Sequence, residues 1–235
     1  MAQWRSLIVL SVMQFLMVLD TSVMNVSISQ LVADFDTTVS AIQAVITLYS
    51  LVMAALMIAG GKLGDILGRR RVLMIGLALY AAGSALTAGS WSVLSLGLGW
   101  SVLEGIGAAL VLPAMAALIA GNYHGAARVT AYGVLGGTAG AAIALGPIIG
   151  GWVTTPWSWR VIFAAEVVVA LGVLVAGRWV ADTPRSARRP TLDLVGAVLS
   201  ALGLFVVVVG LLMSSTWGWL VPVNSPVTPF GYSLT

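Results

Sequence analysis

Long apolar runs, cut by short charged or turn-forming segments, dominate the chain. A helix crossing the roughly 30 Å hydrocarbon layer needs about 20 mainly apolar residues. Seven stretches meet this, at about 7–31, 41–61, 72–90, 93–120, 129–152, 159–180 and 192–214. The pattern predicts an all-α membrane protein with tight loops and no soluble domain. The first stretch is too long for a signal-peptide core, carries Asp20 in its middle and lacks a small-x-small cleavage site.

Spans one to three and four to six form two triplets, so residues 1–180 are expected to make one six-helix bundle. Residues 181–191 read as a basic cytoplasmic linker, 192–214 as a seventh helix and 215–235 as an outer-side segment. Two groups of three match the inverted-repeat plan of many secondary transporters.

Composition agrees. Hydrophobic residues make up 60% and charged residues 8% of 235 residues, and the mean hydropathy is +1.04. A soluble surface needs roughly a quarter of its residues charged. With no Cys and one His, no disulfide, thiolate metal site or histidine dyad is expected. Nor is there a Ser/His/Asp set or phosphate loop. The chain is therefore read as non-enzymatic, without cofactor or metal.

The net charge of +3 is explained by position. With the N-terminus in the cytoplasm, ten of the eleven Lys and Arg lie inside, from Arg5 through Lys62, Arg69–Arg71 and Arg128 to Arg178–Arg189; only Arg160 falls outside. The basic excess reads as topology in a cell membrane, and no nucleic-acid partner is expected.

Three acids lie within apolar spans: Asp20, Glu104 and Glu166. A carboxylate facing lipid at that depth costs several kcal/mol, so each should face a polar cavity or a partner. Asp20, near the midpoint of span one, is the first candidate for taking up a proton or attracting a lipophilic cation, with Glu104 and Glu166 behind it. Met13, Met17, Met24 and Ser27 share its helix face. Polarizable Met17 and Met24, with neighbouring Asn25, suit a wall for varied apolar ligands. The alternative is a packing stripe with Asp20 tied to Asn or Ser neighbours. Trp157 and Trp159 read as interfacial anchors.

The turn after span two reads GKLGDILGRRR over 61–71. Its glycines allow a tight reversal, and Asp65 can pair with Arg69 across one helical turn. That pair is either a gating latch or part of a positive-inside anchor. Span five carries Gly133, Gly136, Gly137, Gly140, Gly146, Gly150 and Gly151 with Pro147, giving smooth stripes for close crossing and a bend at the proline.

The turn resembles the signature loop of the major facilitator superfamily, G-x-L-x-D-x-x-G-R-R, with Gly61, Leu63, Asp65, Gly68, Arg69 and Arg70 in its positions. The run Leu19-Asp20-Thr21-Ser22-Val23-Met24-Asn25-Val26 is similar to the L-D-x-T-V-V-N-V signature of that family's fourteen-helix drug:proton antiporters. Gly146-Pro147-Ile148-Ile149-Gly150-Gly151 looks like the end of their fifth-helix antiporter motif. The segment 192–197, with Trp217-Gly218-Trp219, resembles the first linker helix of that branch. In span four the family pattern R-x-x-Q-G-x-G-A meets Ser101 at the arginine and Glu104 at the glutamine, while Gly105, Gly107 and Ala108 match. Glu166 stands where the family usually has Asn.

The resemblance implies the N-terminal half, seven helices of fourteen, of a proton-coupled multidrug efflux antiporter working by alternating access. Asp20 would carry the coupling, and Asp65 with Arg69 and Arg70 would stabilise one gate state. The bent glycine face of span five would pack against the opposite half. The expected partners are the bilayer, protons, lipophilic or cationic small molecules, and a missing C-terminal half or a second copy. A lone half supplies one wall of such a site and is not expected to transport alone. Two other readings are a non-transporting partner- or ligand-binding protein built on a transporter half, and a small-metabolite transporter.

Overall fold

The computed structural model describes residues 2–183 and 193–217. Lipid offers no hydrogen bonds to a backbone, so apolar spans must satisfy their own amides, and helices do so. The helices are α1 (Ala2–Val26), α2 (Ile28–Asp34), α3 (Val39–Leu67), α4 (Arg69–Ala88), α5 (Val93–Leu96), α6 (Gly105–Asn122), α7 (Gly125–Thr154), α8 (Trp159–Ala176) and α9 (Leu194–Trp217). A π-helical segment, Gly97–Glu104, joins α5 to α6, and a 3₁₀ turn, Gly177–Trp179, follows α8. Six stretches among the described residues are long and apolar enough to cross a membrane: Trp4–Val26, Val39–Leu67, Arg69–Ala88, Val93–Asn122, Gly125–Thr154 and Trp159–Trp179.

These six fall on the first six expected stretches, with one difference. The expected span 7–31 breaks at Ser27, and the short α2 carries Asp34 beyond the span. The seventh stretch is helical as α9, which lies against α3. The expected linker falls mostly outside the described residues, from 184 to 192, as does the outer-side segment from 218 on.

Packing repeats between the triplets. The first helix of each packs on the middle helix of the other, as α1 on α7 and α6 on α3; the third helices, α4 and α8, pack together. The first and third helices also pair across the triplets, α6 with α4 and α1 with α8. Alternating span direction makes this exchange an inverted three-plus-three repeat.

A tight seam joins α4 to span four and leaves no room for side chains at its glycines. A Cβ on Gly107 would sit 2.7 Å from the Gly76 carbonyl oxygen and 2.9 Å from the Tyr80 nitrogen. One on Gly99 would meet the Thr87 hydroxyl at 2.7 Å, and one on Gly83 the Gly99 carbonyl oxygen at 2.7 Å. Small residues allow such approach in a bundle that gains little from the hydrophobic effect within lipid. By contrast, Gly133, Gly136, Gly137, Gly140 and Gly151 of α7 have nothing within 4 Å.

This contrast predicts opposite responses to the same substitution. Gly107→Ala should lower stability by about 1–3 kcal/mol through overpacking against backbone. Gly140→Ala meets open space and should gain about 0.5–1 kcal/mol from lost chain entropy. Denaturant unfolding of both variants in detergent checks the pair; equal effects would remove the seam as the organising contact.

Candidate functional site

Span four is where the bundle departs from regular helix. The π-helical turn Gly97–Glu104 widens the coil, and Gly97, Gly99, Trp100, Ser101 and Glu104 are all buried along it. Such turns recur at functional sites because they re-aim side chains that a regular helix would spread around its circumference. Trp100 stacks on Tyr49 of α3 with ring centroids 4.5 Å apart. Its indole N–H donates to both carboxyl oxygens of Asp20, at 2.9 and 3.0 Å. The Ser101 hydroxyl donates to the Val45 carbonyl at 2.7 Å, so the position where the family pattern has arginine is a neutral tie between span four and α3.

The three membrane acids meet. Asp20 of α1, Glu104 of span four and Glu166 of α8 each bring a carboxyl oxygen within 4.8 Å of the other two. All three are buried, at 0%, 0% and 2% exposure. The Thr87 hydroxyl donates to one Glu104 oxygen at 3.3 Å. The other Glu104 oxygen, both oxygens of Glu166, the Tyr80 hydroxyl and the Ser84 hydroxyl are buried without a hydrogen-bond partner among the described residues. Tyr80 lies beside Asp20, and Ser84 faces both Glu104 and Glu166. Asp20 thus faces the bundle interior rather than acyl chains, and its donor is an indole rather than the Asn or Ser neighbours weighed from sequence.

Met17 and Met24 are buried in the hydrophobic core with Met13. Asn25 lies apart from them; its side-chain amide donates to the Thr21 carbonyl at 2.7 Å and is exposed. The described structure therefore gives the methionines a packing role, against the expectation that they line an open cavity.

At the start of α8, Asp34 accepts from the Trp159 indole at 2.9 Å and from Arg160 at 2.6 Å, and Arg160 also donates to the Ser90 carbonyl at 3.0 Å. The Arg160 guanidinium lies 4.4 Å from the centroid of the Trp159 ring. This clamp ties α2, α8 and the turn before α5. Trp159 is 1% exposed, packed on Phe35 and Phe163. It is a core residue and not the interfacial anchor expected from sequence; Trp157, which is exposed, keeps that position.

At the α3–α4 turn Gly68 alone joins the two helices, with φ of 101°, a conformation that favours glycine. Arg69 bridges Asp65 at 3.3 Å and donates to the Ala117 carbonyl at 2.9 Å. Arg70 donates through its side chain to the Gly177 carbonyl at 3.0 Å and through its backbone N–H to Asp182 at 3.2 Å. The Asp65–Arg69 pair is partly exposed and contributes little alone. The two arginines act chiefly by binding the carbonyl ends of α6 and α8, where a cation is favoured. Gly61 approaches Pro113 of α6, with 3.5 Å from its built Cβ to the proline Cβ.

The antiporter-motif helix divides its glycines. Gly146 packs directly on Ser22, and Gly150 lies against Val23 and Val26 of α1. Pro147 is inside α7. The expectation that the whole glycine face meets an opposite half is thus corrected for Gly146 and Gly150, which pack within the bundle because α1 crosses there. Gly151 and the four glycines from 133 to 140 are open.

Comparison with known proteins places this geometry. The family model described as Major Facilitator Superfamily matches residues 10–234. The tetracenomycin C resistance and export protein of Streptomyces glaucescens is 31% identical over 92% of this chain and 40% of its own. The multidrug efflux pump LfrA of Mycolicibacterium smegmatis is 35% identical over 84% of this chain and 39% of its own. The puromycin resistance protein pur8 of Streptomyces alboniger is 32% identical, over 92% and 43%. The chain therefore spans about two fifths of these relatives' length. Among solved structures, a peptide transporter POT (E310Q mutant) matches with a TM-score of 0.67 at 19% identity, over 92% of this chain and 47% of that one. A D-xylose-proton symporter matches with a TM-score of 0.63 at 18% identity, over 92% and 56%. At these identities the structures share the fold.

Two measurements test the contacts. Trp100→Phe keeps a ring against Tyr49 but removes the only N–H held by Asp20 among the described residues. It should cost about 1–3 kcal/mol of unfolding stability, and much less in an Asp20→Leu background. At the outer clamp, the Trp159 donor holds Asp34 below its ordinary value of 3.8, with Arg160 adding to this and burial opposing it. A carboxylate with a lowered folded value stabilises above its unfolded value and loses that contribution as pH falls through the folded one. The clamp should thus be fully present above pH 3.8 and weaken below it. Asp34→Asn should remove that acid-dependent loss; an unchanged profile in Asp34→Asn would exclude the clamp as its source.

Proposed function

The chain belongs to the Major Facilitator Superfamily, and from that premise we propose that it forms the N-terminal half of a proton-coupled multidrug efflux antiporter of the fourteen-helix branch. The observation that carries this reading is the inward-facing Asp20, buried in the bundle beside Glu104 and Glu166. An unpaired carboxylate is costly in that setting, so it must be matched by a proton or by a cationic ligand. Exchange of one for the other couples the two flows. The relatives named for export, efflux or resistance support drug efflux over uptake of a metabolite or a purely binding role.

In this reading Asp20 gives up its proton when the site opens to the cytoplasm and receives a lipophilic, often cationic, compound. Protonation from outside then favours release. The second wall comes from a C-terminal half or a second copy, meeting the open glycines of α7. Arg69 and Arg70 hold the cytoplasmic ends of α6 and α8 in one gate state. The excess of Lys and Arg at 62–71 and 178–189 of the sequence supports a cell-membrane orientation with the N-terminus in the cytoplasm.

Joined to a complementary second half, wild-type chain should drive gradient-dependent efflux of a fluorescent lipophilic cation from vesicles, and Asp20→Asn should abolish it. The chain by itself should show none. Equal efflux with wild type and Asp20→Asn would reject Asp20 as the coupling group, and robust efflux by the lone chain would reject the half-bundle account.

A further inference from the structure

Glu104 and Glu166 leave an excess of negative character that Asp20 coupling does not need. Three carboxyl groups share one dry space, and no Lys, Arg or His among the described residues pairs with them. The ion pairs of the described residues, Asp65 with Arg69 and Asp34 with Arg160, involve other acids. The single N–H donor, from Trp100, is used on Asp20.

We propose that Asp20, Glu104 and Glu166, with the hydroxyls of Tyr80, Ser84 and Thr87, form a binding site for one dehydrated divalent cation of the Ca2+ type. Three oxygens no more than 4.8 Å apart have a common centre at most about 2.8 Å from each, close to the 2.3–2.6 Å that Ca2+ takes to oxygen. The unpartnered groups supply the independent sign of a ligand. Within ordinary hydrogen-bond geometry the Tyr80 and Ser84 hydroxyls, both oxygens of Glu166 and one oxygen of Glu104 have no partner among the described residues; Tyr80 lies beside Asp20 and Ser84 beside Glu104 and Glu166, and both hydroxyl residues are 0% exposed. Leaving such groups unmade is costly. An ion at the common centre would offset the three carboxyl groups, with the Tyr80 and Ser84 hydroxyls beside them.

The donor set is all oxygen, which selects a hard cation over a thiolate- or imidazole-seeking metal. Charge favours a divalent ion, whose two charges offset two carboxylates while the third holds a proton. Mg2+ keeps several waters and demands near-ideal octahedral geometry; this closed pocket suits Ca2+ better. The sequence pointed away from a metal because it offers no Cys and one His, whereas these ligands come from helices distant in the chain. The inference does not require transport, so it stands or falls separately from the efflux reading.

The full chain, purified and freed of divalent ions by chelation, is titrated with CaCl2 while thermal unfolding and equilibrium binding of radioactive Ca2+ are followed. One saturable ion per chain and a melting temperature that climbs with free Ca2+ are expected, since a ligand of the folded state stabilises by mass action. Mg2+ and Na+ should give smaller shifts at equal concentration. Glu166→Gln and Glu104→Gln should each weaken binding roughly tenfold or more, and Ser84→Ala less so. These near-isosteric changes remove charge from a buried site, so the chelated variants should melt no lower than chelated wild type. Asp65→Asn, which changes an exposed acid, should bind as wild type does. Absence of saturable Ca2+ binding would overturn the proposal. Binding or stabilisation left intact in both glutamine variants, or a response to Na+ exceeding that to Ca2+, would do the same.

Discussion

The cost of negative charge in a dry interior governs the centre of this bundle. Asp20, Glu104 and Glu166 can lie together only if protons, donors or a cation offset their charge, because lipid and tightly packed helices offer neither water nor a base. The surrounding features bear on that need. The glycine seam brings α4 against span four, and with it Thr87 and Ser84 to Glu104. The π-helical turn directs Trp100 and Glu104 inward, and stacking on Tyr49 fixes the indole that holds Asp20.

The two ends of the bundle solve a different problem. Near water, charges can be shared among helices, and Arg69, Arg70 and Arg160 each reach a carbonyl or carboxylate on another element. These contacts bind α2, α4, α6 and α8 into one unit at both faces. The clamps hold these helices in register with one another, while the open glycines of α7 leave a smooth surface.

The six apolar spans were legible because a helix across lipid needs a length and composition that little else shares. Asp20 was legible for the same reason: a charge inside such a run stands out. The meeting of Asp20 with Glu104 and Glu166 was not, because periodicity within one helix says nothing about which faces of three distant helices converge. Trp100 was invisible as a donor, since a tryptophan in an apolar span reads as bulk, and the π-helical turn that aims it leaves no mark in spacing. Trp159 misled in the opposite sense. Its place beside Trp157 at a span end suggested an anchor, but Asp34, carried beyond the first span on α2, captures its indole. Met17 and Met24 shared a face with Asp20 as expected, yet core packing claimed that face.

The substitutions against the family pattern share a direction. Arginine gives way to Ser101, glutamine to Glu104 and asparagine to Glu166. With Asp20 beside them, the described site holds three acids and no base. Ser101 is tied to the Val45 carbonyl, so the backbone of α3 takes up its hydroxyl and the lost cation has no replacement in the described bundle. Among the described residues no basic side chain pairs with the three acids, so protons or a cation are what can offset their charge there. These occupants differ in size and in the geometry they demand. The close, all-oxygen cluster fits a small ion directly, whereas a bulky organic cation requires the helices to separate first.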